Sequence, residues 1–296
     1  MTERRNEKPL REVSLEGAQK IGQGAHAEVF RIAEDTVVKV YFPTVSMEAI
    51  EREKALSRWA FVKGVPTAIS YDIVRADGRY GVVYELLNAK SASDYVNASE
   101  ENLEDFVEKS VVMMRQIHGI RVQPGELPDM REKAKGWIGR CGQYLPDEIC
   151  GRLLDMLETV PESRTLLHGD YHLKNIMVSE GELMLIDMDT LSAGDPVFEL
   201  STIFNSYRQF PSIAPEAAAF LGIDVPTAFR IWDRTLELSL KDADEKTRSD
   251  TVQKAMLLGC ARIIDYMDRT PGLPDRELVI SRCVRDILSG FSPEKR

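Results

Sequence analysis

Apolar positions change their spacing near residue 87 of this 296-residue chain. Before that point they form short β-type runs. Val37-Val38-Lys39-Val40-Tyr41 is a compact, β-branched stretch that predicts a strand. Gln19 to Phe30 places two glycines ahead of Val29-Phe30, which predicts strands joined by a turn. Ala68–Arg75 and Tyr80–Leu87 predict a hairpin about Asp77-Gly78, a strong turn dipeptide. One interval, Ser46 to Ala60, switches to helical spacing. There Met47, Ile50, Ala55, Leu56 and Trp59 can share a face, with Glu48, Glu51, Arg52 and Lys54 toward water, and Pro66 closes the segment.

Beyond Leu87 helical spacing dominates. Leu103 to Ile117 carries an apolar stripe of Phe106, Val107, Val111, Met114 and Ile117. Gln123–Asp129, with its prolines and glycine, predicts a loop. Asp147–Val160 and Thr251–Arg269 predict further helices. The apolar runs Leu166-Leu167 and Leu183–Ile186 flank Glu180-Gly181 and predict a small hairpin with polar motifs at its ends. The expected fold is α+β and bilobal. Residues 1–87 form an antiparallel sheet lobe with one helix, 91–296 form a larger helical lobe, and the hinge lies at about 85–90. A cleft between two such lobes is the expected nucleotide site.

Composition narrows the partners. The hydrophobic fraction of 43% is that of an ordinary globular chain, and a formal charge of −10 offers no cationic surface for nucleic acid or an anionic membrane. A cationic substrate is compatible with that balance. Cys141, Cys150, Cys260 and Cys283 have no metal-ligand spacing and predict free thiols in a reducing compartment. The start, Met1 to Lys8, is too polar for a secretory signal, and no apolar stretch is long enough to span a bilayer, so a cytoplasmic location is expected. Nothing in the pattern sets an oligomeric state.

The chemistry concentrates in His168-Gly169-Asp170-Tyr171-His172-Leu173-Lys174-Asn175 and in Leu185-Ile186-Asp187-Met188-Asp189. An Asp, an Asn five residues on and an Asp twelve further match the polar set for phosphoryl transfer. Asp170 is the candidate catalytic residue, accepting or orienting a hydroxyl. Asn175 and Asp187 are candidate magnesium ligands, both offering hard oxygen donors. Gly22-Gln23-Gly24-Ala25-His26-Ala27 lies between strands, so backbone amides at Gly22 and Gly24 can close over phosphates, with Ala27 where a third glycine would stand. Lys39, on the following strand, is the candidate phosphate cation. Its partner should come from the Ser46–Ala60 helix, with Glu53 first and Glu51 or Glu48 as alternatives. His168 is expected to be a structural loop residue, hydrogen-bonding backbone near Asp187, and His172 has no evident task. A zinc reading of the two fails for want of a Glu between them and because Gly169 argues for a loop.

These motifs resemble the aminoglycoside phosphotransferase family, the small-molecule branch of the protein-kinase-like fold. His168-Gly169-Asp170 with Asn175 resembles its catalytic loop and Ile186-Asp187-Met188-Asp189 its metal segment. Gly194-Asp195-Pro196-Val197-Phe198-Glu199-Leu200 resembles its Gly-Asp-Pro-x-x-Asp-Leu stretch, with Glu199 in place of Asp and an expected effect on loop packing. The likeness runs over about residues 18–205. It implies transfer of the γ-phosphoryl group of ATP or GTP to a hydroxyl of a small molecule, with Mg2+, most simply an aminoglycoside-type antibiotic. It also implies that Glu85, Leu86 and Leu87 form the hinge, with Glu85 and Leu87 reading the adenine edge, and that Tyr84 backs that pocket. A metabolic kinase of the choline, homoserine or sugar-derivative type is the alternative, and a nucleotide-binding pseudokinase a second. The six residues between Asp187 and Gly194 leave no room for a protein kinase's activation segment. For the acceptor, Asp265 and Asp268, in an otherwise apolar helix, are the better candidates among the C-terminal carboxylates, and Tyr207 and Arg208 are further candidates to line the pocket.

Overall fold

The computed structural model describes residues 9–291. The polar Met1–Lys8 stretch, expected not to be a secretory signal, lies outside them. The chain divides into two compact units. One runs up to Ala89 and takes in Met184–Asp189; the other is Lys90–Leu183 with the chain from Thr190 on.

The first unit contains β1 (Arg11–Val13), β2 (Gln19–Gln23), β3 (Ala27–Arg31), β4 (Thr36–Tyr41), α1 (Met47–Val62), β5 (Ser70–Ala76) and β6 (Arg79–Glu85). The sheet order is β1-β5-β6-β4-β3-β2. All neighbours are antiparallel except β1, which runs parallel to β5. The expectation did not include β1, whose Arg11-Glu12-Val13 has no apolar alternation to mark it. The β5–β6 turn sits on Asp77 and Gly78, with φ of 46° and 80°, the two left-handed residues that suit a tight hairpin's twist. Alternation along β4 sorts its residues between two faces. Val38 and Val40 enter a cluster with Val74, Ala76 and Val83. Tyr41 enters another with Ala27, Val82 and Ile50 of α1. Lys39 shares the parity of Tyr41 and therefore lies on the helix side.

Ser46 caps α1, its Oγ accepting from the Ala49 N–H at 3.2 Å. The buried face of α1 differs from the apolar stripe. Ile50, Glu53, Ser57 and Ala60 are inside, and Ala55 is exposed. The helix is turned so that a carboxylate faces Lys39, and Ser57 Oγ, donating to the Glu53 carbonyl at 3.0 Å, fills in behind it. Hydrophobic periodicity cannot register a face whose centre is charged.

The second unit begins with β7 (Lys90–Ser91), α2 (Ala92–Ala98), α3 (Glu100–His118), α4 (Met130–Cys141) and α5 (Asp147–Glu158). Short strands follow: β8 (Thr165–Leu167), β9 (Ile176–Ser179), β10 (Glu182–Leu185), whose last two residues fall in the first unit, and β11 (Ser192–Gly194). The chain ends with α6 (Val197–Phe204), α7 (Phe210–Ile213), α8 (Glu216–Phe220), α9 (Val225–Ser239), α10 (Glu245–Arg269) and α11 (Arg276–Gly290). The stripe on α3 is buried as its spacing predicts, from Leu103 through Phe106, Val107, Val111 and Met114 to Ile117. Each such side chain contributes about 1.5–3 kcal/mol by leaving water.

The expected hairpin between Leu166-Leu167 and Leu183–Ile186 does not form. The Glu180-Gly181 turn joins β9 to β10, and β8 instead pairs antiparallel with β11, Leu167 opposite Ser192. A two-residue apolar run carries no register of its own, so its partner is fixed by where the later chain returns. The loop His168–Asn175 is thereby strung between two separate small sheets. The four cysteines are free. Among the described residues no helix is long and apolar enough to cross a membrane.

Candidate active site

In the first unit three charged side chains meet. Lys39 Nζ donates to Glu53 Oε1 at 2.6 Å and to Asp187 Oδ1 at 3.0 Å. Of the helix carboxylates considered, Glu53 is the one beside Lys39. Burial alone would lower the pKa of this ammonium. Asp187 and Glu53 outweigh it and hold the value above the ordinary 10.5. Asp187 has φ of 66°, a left-handed conformation uncommon outside glycine, and strain of this kind concentrates at functional positions. Its side chain is 43% exposed and has one oxygen on Lys39, which leaves Oδ2 as a hard donor.

Gly22 and Gly24 lie at the β2–β3 turn, where the Gly24 N–H donates to the Ala27 carbonyl at 2.9 Å. Neither has the positive φ that would demand glycine. A Cβ at Gly24 would meet nothing within 4 Å, and one at Gly22 only ordinary contact with Val29. Nothing internal to the turn accounts for their missing side chains. At the end of β6 the Glu85 and Leu86 amides donate to the Ile69 and Asp35 carbonyls at 2.9 and 2.7 Å. The Glu85 carboxylate receives the Ile69 N–H at 3.2 Å. The Leu87 carbonyl accepts from Ala89 at 2.9 Å, and the Leu87 N–H has no backbone acceptor among the described residues.

In the second unit Asp170 is braced from three directions. Asn175 Nδ2 donates to its carbonyl at 2.8 Å and to its Oδ2 at 3.0 Å. His172 Nε2 lies 3.2 Å from the same Oδ2. The Asp170 N–H donates to His168 Nδ1 at 3.3 Å. Burial pushes the Asp170 carboxyl upward. The hydrogen bond and charge of His172, with Arg262 and His168 beyond, outweigh that and hold it well below the usual carboxylate range. Oδ2 is thus occupied, and Oδ1 takes no hydrogen bond among the described residues. Asn175, turned with Nδ2 on Asp170, keeps Oδ1 as an oxygen donor. Gly169 needs to be glycine: its φ is 81°, and a Cβ there would stand 2.5 Å from the Thr190 carbonyl.

A sequence model of the phosphotransferase enzyme family matches residues 17–237. The chain belongs to that family. It is therefore a phosphotransferase, acting on a hydroxyl group. Similar solved structures include a thermostable mutant of the aminoglycoside phosphotransferase APH(4)-Ia in its apo form. The TM-score is 0.67 at 14% identity, over 93% of this chain and 95% of that one. The ternary complex of such a mutant with ADP and hygromycin B gives 0.66 at 15%, over 93% and 94%. ADP-bound APH(2'')-Ib gives 0.60 at 17%, over 92% of each chain. These identities carry the protein-kinase-like fold. No curated protein matches the chain.

Several groups hold the phosphotransferase's Asp170 loop by contacts that the sequence did not specify. Glu199 is fully buried and accepts the N–H groups of His168 and Gly169 at 2.6 and 3.0 Å. Burial would raise its pKa; His118, with Nε2 at 3.8 Å, and His168 outweigh that and lower it. Its effect on loop packing, expected from the motif, is a direct grip on the backbone before Asp170. Tyr207 lies in a π-helical turn, Asn205–Gln209, and its hydroxyl accepts the Leu173 N–H at 2.8 Å. Thr190 Oγ1 donates to the His168 carbonyl at 2.7 Å. His172, given no task above, sits on Asp170. Only the apposition of side chain to backbone in three dimensions reveals these contacts.

The acidic acceptor candidates are spoken for. Asp265 pairs with Arg140 at 2.8 Å and Arg269 at 3.7 Å. Asp268 accepts from Tyr144 at 2.6 Å and Gln143 at 3.2 Å and pairs with Arg276 at 3.4 Å. Both fasten helices to one another. Arg208 lies over the Phe229 ring, 4.2 Å from its centroid.

Proposed function

We propose that this phosphotransferase moves the γ-phosphoryl group of ATP or GTP to a hydroxyl of a small molecule, with Asp170 orienting that hydroxyl and taking its proton. The observation that carries the reading is the Asp170 carboxylate itself, ionised, with Oδ2 held by Asn175 and His172 and Oδ1 left for the acceptor. Phosphoryl transfer has a loose transition state, so fixing an oxygen in line contributes more than raw basicity. Lys39, held by Glu53 and Asp187, serves the nucleotide phosphates. Gly22 and Gly24 put no side chain between the backbone of the turn and those phosphates, a use for glycines that the turn itself does not require. The Leu87 N–H and the Glu85 backbone serve the adenine edge.

Asn175 Oδ1 in the second unit and the free oxygen of Asp187 in the first are each a hard donor not otherwise engaged, and each suits magnesium. Bound there with the nucleotide, the ion would neutralise charge on the transferring phosphates. A nucleotide co-substrate is supported by the ADP-bound and AMP-PNP-bound neighbours. A cytoplasmic location accords with free cysteines and an acidic balance. For the acceptor, aminoglycosides are what the resemblance implies, and solved neighbours hold hygromycin B, gentamicin and streptomycin. The ion pairs that occupy Asp265 and Asp268 favour the second reading, a metabolic acceptor of the homoserine or sugar-derivative type.

The test is Asp170→Asn with product detection by mass spectrometry and nucleotide affinity by calorimetry. Lost transfer with retained nucleotide binding is expected; undiminished turnover would remove Asp170 from the mechanism.

A further inference from the structure

Arg262 of α10 stands apart from the cations around it. It is half-buried, and Nη1 donates to Thr202 Oγ1 at 2.6 Å. Its guanidinium carbon lies 5.6 Å from the centroid of the half-buried Trp137 ring on α4. Among the described residues no carboxylate is within ion-pair distance of it. Asp265, one turn further along α10, is taken by Arg140 and Arg269. A guanidinium has five N–H donors in a rigid fork, and among the described residues one is used. A partly desolvated cation with idle donors raises the free energy of the protein unless an anion completes it.

The place of this cation matters. Its anchor, Thr202, sits one turn beyond Glu199 on α6, and Glu199 grips the His168 and Gly169 amides that precede Asp170. All these groups belong to the second unit. The Arg262 charge is among those that hold Asp170 ionised. One turn before Trp137, Lys133 donates to Ser192 Oγ at 2.7 Å, adding positive charge on the same helix. A polyammonium acceptor brought to Asp170 would face like charge from this side, and two carboxylates that stood out as partners for its amines, Asp265 and Asp268, are already paired.

We propose that Arg262 and Trp137 form an acceptor subsite that selects a hydroxyl substrate bearing an anionic group, a carboxylate or a phosphate. The guanidinium fork takes the anion, the indole covers an adjoining apolar or ring face, and Thr202 keeps the fork aimed. The proposal rests on the phosphotransfer reading given above and names the substrate class for that same site.

The test uses hydroxyl acceptors matched by charge: glycerate, glycerol and serinol; ribose 5-phosphate, ribose and glucosamine; and kanamycin as a polycation. With ATP and magnesium, phosphorylated product is read by mass spectrometry. The anionic members should exceed their neutral and cationic counterparts in kcat/KM by on the order of 10- to 100-fold, the value of one charge-assisted contact. Arg262→Leu should erase that preference by raising the acceptor KM. Arg262→Glu should turn it toward serinol, glucosamine and kanamycin, a gain that misfolding cannot produce. Equal or better turnover of the cationic members by the unaltered enzyme would overturn the proposal, as would an equal loss on every acceptor in Arg262→Leu. Failure of transfer to every member would count against the phosphotransfer reading. In that event calorimetry with AMP-PNP present, which blocks the nucleotide phosphates' own site, decides the subsite. Arg262-dependent binding of glycerate or ribose 5-phosphate would uphold it, and its absence would overturn it.

Discussion

Lys39 and Asp170 are the two charged centres of this phosphotransferase, and they are held in opposite ways. Lys39 is fixed by charge: two carboxylates, 2.6 and 3.0 Å away, oppose one ammonium. Asp170 is fixed mostly by backbone: Glu199, Tyr207 and Thr190 hold the main chain on either side of it, and Asn175 touches both its carbonyl and its carboxylate. A residue fixed by charge tolerates movement at the cost of Coulomb energy alone. A residue fixed through its backbone moves only if buried N–H groups lose their partners. On the proposed reading the first arrangement would suit a group that follows a nucleotide in and out, and the second a group that stays in line.

Variants can break that contrast, beginning with the largest effect. Asp170→Asn should lower kcat by about 10²- to 10⁴-fold with nucleotide affinity intact. Equal losses in turnover and nucleotide affinity would mean that the two centres are not functionally separate. Asp187→Ala should abolish magnesium-dependent nucleotide binding; unchanged magnesium affinity by calorimetry would count against its assignment. Glu199→Leu should cost several kcal/mol of unfolding free energy in urea titration, since two buried amides each lose about 1–3 kcal/mol. Glu199→Gln, which keeps one carbonyl acceptor, should recover part of this. If both variants behave alike, the grip on the loop is not made through hydrogen bonds. Tyr207→Phe should be mildest, about 1 kcal/mol for a single hydrogen bond, with a modest fall in kcat.

Acid and base titrations sharpen the same comparison. The Asp170 carboxyl is depressed from its ordinary 3.8, so its contribution to stability is present above that value and is lost as pH falls through the lower folded one. The Lys39 ammonium is raised above its ordinary 10.5, so its contribution is full below 10.5 and is lost as pH rises through the higher folded value. Stability measured against pH should therefore show no loss from either group between pH 5 and 9. A transition in that range that vanished in Lys39→Met or in Asp170→Asn would contradict these directions.

The charged centre was more legible in the sequence than the braced one. A lysine inside a valine run declares itself by breaking an apolar pattern, and Glu53 followed from helical spacing. The same spacing misplaced the buried face of α1, because it scored Ala55 as inside and Glu53 as its neighbour. Asp170 was legible as a motif residue, yet its supports were not. Glu199 lies about thirty residues on, Tyr207 in a π-helical turn, and β8 found its partner in β11 and not in the nearer apolar run. Backbone-directed contacts leave no periodic trace, so spacing finds the residue and misses what holds it. The C-terminal carboxylates show the converse error. Asp265 and Asp268 stood out in an apolar helix as though awaiting a ligand, but their partners were arginines scattered over α4, α10 and α11.

The triad of Lys39, Glu53 and Asp187 carries one positive and two negative charges, a local sum of −1. A bare triphosphate, itself an anion, gains little from such a place. On the proposed reading, Asp187 would hold a divalent ion brought with the nucleotide, the ion would supply the missing positive charge, and Lys39 would be left to the phosphates. Metal and nucleotide should therefore bind as a positively cooperative pair, each raising the other's affinity by the same factor.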